Sequence, residues 1–179
     1  ALKTFGNKLY ITGSTQSSNL QVHAGSYKEI APGDLDAYIA SFSLSTGDFE
    51  AATYFGTVGK DQSFLMDIDF DGNIYIAGQT NGSLAISPGV YGNPSSRQFI
   101  AKLDSSLSNL LWQTMVGSGQ NKQDLVPSAF MVDQCKNIYF SGWNGAANMV
   151  GFPGVQNGNT NAIHITPDAN HTTTNGSDL

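Results

Sequence analysis

Three carboxylates on alternate residues, Asp67, Asp69 and Asp71, followed at once by Gly72, reproduce the first half of a calcium-binding loop. Oxygen ligands spaced this way converge on a hard cation, and the glycine allows the sharp bend after them. The second half departs from that pattern. Tyr75 and Gly78 stand at the ninth and twelfth positions, where such a loop needs a further ligand and a bidentate Glu. On a strand the three aspartates would share one face, so a solvated hairpin rim is the competing reading. The aligned stretch further along, Asp133-Gln134-Cys135-Lys136-Asn137, keeps one acid. The spacing leaves calcium as a candidate ligand and names no other cofactor.

His164, Asp168 and His171 form the one group suited to a transition metal or to acid–base work, at spacings that match no helical metal motif. They fall in a loop, where exposed polar side chains are ordinary. His23 occupies the corresponding loop earlier in the chain, with no acid near it. A nucleophile elbow of the form Gly-x-Ser-x-Gly is lacking. The nearest string, Val116-Gly117-Ser118-Gly119, has other spacing and follows a strand, as a turn does. The chain is therefore read as non-enzymatic, with no catalytic residues. Trp143 ends a strand beside the irregular stretch 144–161, and loops of that length are often functional. Trp143, Asn144 and Phe152 are the candidate contact residues. Trp112 and the recurring Tyr10, Tyr75 and Tyr139 could stack on sugars, although recurrence at one place in a repeat favours packing between sheets.

The elements that position these residues repeat. Asn73-Ile74-Tyr75-Ile76-Ala77-Gly78 has copies at Asn7-Lys8-Leu9-Tyr10-Ile11-Thr12-Gly13 and at Asn137-Ile138-Tyr139-Phe140-Ser141-Gly142, a period of about 65 residues. In the best-covered unit, Phe64 to Asp69 alternates towards an Asp71-Gly72 hairpin signal, and Asn73 to Gly78 has the composition of a second strand. Phe99 to Asp104 and Asn109 to Val116 supply a third and a fourth. Thr53-Tyr54-Phe55-Gly56 aligns with Thr114-Met115-Val116-Gly117, and Tyr38 to Phe42 with Phe99 to Leu103. Four antiparallel strands joined by short turns make one propeller blade. The expected fold is all-β, a fragment of a β-propeller with four-stranded antiparallel blades. Residues 1–60 are expected to be a partial blade (strands 2 to 4) and 61–118 a complete one. Residues 119–179 should hold strands 1 and 2 of a third, with a long insertion at about 144–161. A closed ring needs more blades than this, so the remaining blades of the same polypeptide are the first expected partner.

Composition agrees with a turn-rich β protein. Charged residues make up 12% of the 179, while Gly, Ser, Thr and Asn together exceed a third. An apolar content of 40% separates the chain from disordered sequences. Eight basic residues against 14 acidic ones give a net charge of −6 with no Lys or Arg cluster, which argues against nucleic acid as a partner. No apolar run is long enough to be a membrane-spanning helix. Cys135 is the single cysteine, so no disulfide forms within the chain, and a small buried or half-buried apolar role is expected for it.

The blade pattern resembles the SBBP-type β-propeller repeat. The residues that carry the likeness are Asp71 to Gly78, Pro88-Gly89-Val90-Tyr91, and Phe99 to Trp112 with its Phe-Ile-Ala-Lys-Leu-Asp and Leu-Leu-Trp strings. The tail, Thr166-Pro167-Asp168-Ala169 with Thr173-Thr174-Asn175-Gly176-Ser177-Asp178, is similar to Bacteroidetes gliding-motility-associated surface proteins exported by type IX secretion. This resemblance implies an extracellular or cell-surface location and a scaffold or adhesion role, with cell-surface proteins, glycans or the outer-membrane secretion machinery as partners. It brings no catalytic residues with it. The alternatives are a propeller attached to a secreted polysaccharide-binding or polysaccharide-degrading enzyme, and a passive cargo segment of the secretion route.

Overall fold

The computed structural model describes residues 1–143, 146–147, 156–157 and 160–170. Strands β1 (Leu2–Phe5), β2 (Lys8–Thr15), β3 (Asp36–Ser43) and β4 (Phe49–Phe55) form one antiparallel sheet in sequence order. Strands β5 (Asp61–Ile68), β6 (Ile74–Thr80), β7 (Gln98–Leu103) and β8 (Leu110–Val116) form a second on the same plan. Strands β9 (Val126–Val132) and β10 (Ile138–Trp143) pair as a hairpin. Two residues each of β11 (Ala146–Ala147) and β12 (Gln156–Asn157) pair within the insertion, and Thr160–Ala162 makes one 3-10 turn. Among the described residues there is no α-helix.

The opening sheet has four strands where three were expected. Leu2–Phe5 is too short to alternate visibly, but Phe5 pairs directly with Lys8 across a two-residue turn whose Gly6 takes φ +57°. That places a first strand ahead of the second strand on which the sequence was expected to open.

Each repeat copy of the second strand carries a glycine near its end, and at Gly78 and Gly142 the sheets show why. The register of β5 against β6 slips between Ser63 and Leu65, opposite Gly78, and that of β9 against β10 slips beside Gly142. A Cβ on Gly78 would collide with the Gln62 carbonyl, and one on Gly142 with that of Val126. The bulged first strand lies over a bare backbone at both places. A Cβ on Gly13 would meet nothing within 4 Å.

The sheets stack face to face. β5 lies against β1, β2 and β3, and β9 lies against β5 and β6. One apolar core fills the first gap, where Tyr10, Ile39 and Phe55 meet Ile74, Ile76, Phe99 and Leu103. Phe55 and Phe99 approach to 5.0 Å between ring centroids. Alternate strand residues point to opposite faces, so Asp67, Tyr75, Lys102 and Trp112, neighbours across β5 to β8, form a row that faces the third unit instead.

Candidate functional site

The turns before β6 and β10 are each built by one carboxylate. Asp69 Oδ1 accepts from the backbone N–H of Asp71 (3.0 Å) and of Asn73 (2.9 Å), and Asn73 Nδ2 donates to both of its oxygens at 3.1 Å. Oδ2 also accepts from the Tyr75 hydroxyl at 3.2 Å and from Lys102 Nζ at 2.9 Å. Asp133 repeats the arrangement one unit later. Its Oδ1 accepts from Cys135 and Asn137 N–H, and its Oδ2 from Asn137 Nδ2 (3.0 Å) and Tyr139 OH (3.1 Å). An Asx-type turn of this kind explains why Asn and Tyr recur four and six residues after the acid.

Burial would push the Asp69 carboxyl up, but the Lys102 and Asn73 hydrogen bonds more than offset it and hold it at about 2. Burial likewise opposes the charge on Lys102, while Tyr75 and Asp69 raise its pKa above the ordinary lysine value. Its ammonium also stands 4.8 Å over the Tyr75 ring.

The three carboxylates of the calcium pattern part company here. Asp67 Oδ1 pairs with Lys3 Nζ at 3.0 Å and its Oδ2 accepts from Val132 N–H at 2.8 Å, tying three successive units together. Asp69 closes its own turn. Asp71 pairs with Lys136 Nζ at 2.6 Å. Each is neutralised by a different lysine, and Asp69 lies past the end of β5, so the shared-face arrangement fails along with the cation cage. Among the described residues no group of three or more His, Cys, Asp or Glu is arranged to hold a metal.

His164 is exposed and tilts against Tyr91, 6.4 Å between centroids, and the hydrogen bond from Thr166 holds the Asp168 carboxyl below the usual range. His171 lies outside the described residues, so the structure brings together at most part of that group. His23 instead joins sheets: Nδ1 meets the backbone of Ala52, and Nε2 lies 3.3 Å from Ser108 Oγ. Tyr75 is buried edge-on to Trp112 at 5.8 Å, and Tyr10 is buried with its hydroxyl on the Ser105 carbonyl. Neither is open to stack on a sugar. Cys135 is exposed in the β9–β10 turn, against the expectation of burial, because its N–H serves Asp133 while its side chain points away from any core.

Of the contact candidates, Trp143 ends β10 and is 53% exposed, while Asn144 and Phe152 lie outside the described residues. Met131 (51%) and Tyr139 (53%) lie open on the same hairpin. Tyr139 is the counterpart of Tyr10 and Tyr75, whose exposures are 1% and 2%.

A second repeated device escaped the sequence reading. After the fourth strand of each full sheet, a glycine at positive φ (Gly56 at +146°, Gly117 at +137°) leads into a residue that binds a buried aspartate ahead. Thr57 donates its N–H (2.7 Å) and hydroxyl (3.0 Å) to Asp61, and Ser118 does the same to Asp124 at 2.6 Å each. A Cβ at Gly56 would lie 2.6 Å from Asp61 Oδ2. The signal was present in the alignment of Gly56-Thr57 with Gly117-Ser118, but unequal spacing to the aspartate hid it. Near the first of these, Lys28 Nζ donates to the Gly56 carbonyl at 2.5 Å, and Asp36 is buried with Oδ1 lacking a hydrogen-bond partner. Burial pushes the Asp36 carboxyl up.

These features define a class: four-stranded antiparallel blades stacked around repeated turn and linker carboxylates, as in a β-propeller. The family model for the SBBP β-propeller repeat matches residues 52–85, from within β4 through β5 and β6, so the chain carries a repeat of this type. No curated protein matches the sequence.

Proposed function

We propose that this chain is a non-enzymatic propeller module of a secreted bacterial protein, acting at the cell surface as a scaffold or adhesion unit that presents its loops to protein or glycan partners. The observation that carries this reading is where the chemically capable side chains go. Asp61, Asp67, Asp69, Asp124 and His23 are all tied into turns, linkers or contacts between sheets. Trp143, beside the irregular stretch 144–161, is an exposed aromatic. A rigid scaffold carrying variable loops suits recognition by preformed surfaces. The proposed location and the gliding-motility or type IX association rest on the likeness of the repeat and tail to such surface proteins.

The second reading, a polysaccharide-binding or polysaccharide-degrading propeller, is favoured by the same Trp143 with Tyr139 nearby. A glycan array separates the two. Saturable glycan binding that is lost in Trp143→Ala supports the second. Release of reducing sugar that one carboxylate substitution abolishes would make the chain an enzyme and overturn the proposal. Neither effect, with retained binding to surface proteins, supports the scaffold.

A further inference from the structure

We propose that the junction between the first two sheets is a binding site for a hard divalent cation of the calcium kind, bridging the carboxylates of Asp36 and Asp61. The inference goes beyond the scaffold reading and does not depend on it. β3 and β5 begin side by side. Leu35 and Lys60 form a parallel bridge, and Asp61 N–H donates to the Leu35 carbonyl at 2.7 Å. Asp36 and Asp61, the next residue on each side, are therefore lateral neighbours with side chains on one face. Their exposures are 1% and 0%. One oxygen of each is held by the protein: Asp36 Oδ2 accepts from Gly33 N–H at 3.1 Å, and Asp61 Oδ2 from the N–H and hydroxyl of Thr57. Oδ1 of each is buried without a partner. Among the described residues no ion pair reaches either acid, and Asp61 acts on Asp36 as a like charge through space. Two adjacent buried carboxylates, each with an unmatched oxygen, are costly until a cation stands against them.

The second junction serves as the control. Asp124 takes the place of Asp61 there, and both of its oxygens are matched, Oδ2 by Ser118 N–H and Oδ1 by the Ser118 hydroxyl. Gln98 pairs with Val116 as Ala37 pairs with Phe55, so the residue in the position of Asp36 is Arg97. Its guanidinium donates to the carbonyls of Asn81 and Gly82 and to Asn121 Oδ1. The unmatched oxygens thus arise at the junction where an acid stands in place of that arginine. Lys28 does not fill the gap. Its ammonium donates to the Gly56 carbonyl, as Asn93 Nδ2 does to the Gly117 carbonyl. Asp34, exposed two residues before Asp36, adds a further negative charge that draws a cation in. Carboxylate oxygens select a hard ion, and the flexible coordination of calcium suits a bridge between two strands. With two carboxylates and not three, main-chain carbonyls and water must supply the remaining ligands, so the site is a weak one, with Kd about 10⁻⁴–10⁻³ M.

The test melts the whole chain, stripped with EDTA, against rising calcium chloride. The midpoint should climb saturably, by about 3 °C at about 5 mM calcium. Asp36→Asn should lose that shift while melting in EDTA no lower than the wild type, because it removes one of two like charges. Asp71→Asn, which alters the alternating aspartates of the next sheet, should keep it. Hydrogen exchange of the wild-type chain should slow on calcium addition at residues 33–37 and 57–62, which locates the ion without any variant and survives a folding defect in Asp36→Asn. Lack of a saturable shift, an equal shift in Asp36→Asn or in sodium chloride of matched ionic strength, or protection centred on residues 67–73 would overturn the proposal.

Discussion

The turns at Asp69 and Asp133 are the same local machine in two settings. Both carboxylates cap their own turn, grip an asparagine four residues on and hold a tyrosine hydroxyl six residues on. Asp69 is 1% exposed and carries Lys102, whereas Asp133 is half-buried, and the Asn137 hydrogen bond is what lowers its carboxyl. The local sequence therefore builds the turn, and the neighbouring strand and sheet turn it into a tertiary lock. The lysines repeat the contrast. Lys102–Asp69 has side-chain exposures of 10% and 0%, Lys136–Asp71 of 47% and 61%. An ion pair stripped of water on both sides cannot lose one member cheaply, while an exposed pair can.

A large effect should come from breaking the buried lock. Lys102→Ala leaves Asp69 charged, buried and short of its cation, a change that costs about 3 kcal/mol. Urea denaturation should show the midpoint falling by a matching amount. Lys136→Ala, which removes the exposed counterpart, should leave the midpoint near that of the wild type. Equal effects of the two substitutions would mean that burial does not distinguish the turns.

Acid sharpens the same contrast. The Asp69 carboxyl titrates at about 2 when folded, below its unfolded value near 3.8, so ionisation favours the folded state. That contribution, about 2 kcal/mol, is complete above about pH 4 and drains away as the pH falls towards 2. Denaturation midpoints followed from pH 5 to pH 2 should fall less steeply in Asp69→Asn than in the wild type. Asp36 has the opposite sign. Burial raises its carboxyl, and Oδ1 has no hydrogen-bond partner. Its ionisation as pH rises through the folded value therefore opposes folding. Asp36→Asn, which can still accept from Gly33 N–H, should be at least as stable as the wild type at pH 7.

The architecture was legible because the signals that encode it are local. Apolar alternation, the Gly-Asn turns and the recurring tyrosine each lie within one strand or hairpin, and they gave the blade plan and its strand order. β1 was missed because four residues are too few to show a period. The separate roles of the carboxylates are hidden for another reason. Asp67, Asp69 and Asp71 look alike in a string, yet their partners are Lys3, Lys102 and Lys136, and distances of 30 residues or more along the chain conceal which lysine meets which acid. Trp143 is singled out in the sequence by the irregular stretch after it, and it is 53% exposed at the end of β10. For Cys135 the general tendency of free cysteine suggests a buried or half-buried side chain, when its position in the turn decides the matter.

The smallest expected effect separates packing from presentation on that third hairpin. Tyr10 and Tyr139 stand at equivalent positions, but Tyr10 is enclosed between two sheets with its hydroxyl on Ser105, and Tyr139 is half open. Tyr10→Ala should cost about 3 kcal/mol through lost burial and the cavity left behind. Trp143→Ala removes a side chain that is more than half exposed at a strand end and should change the melting midpoint by a degree or two at most. If Trp143→Ala unfolds the chain as readily as Tyr10→Ala does, Trp143 is packed in solution. It could not then be a contact residue, and the open hairpin would be a core face waiting to be covered.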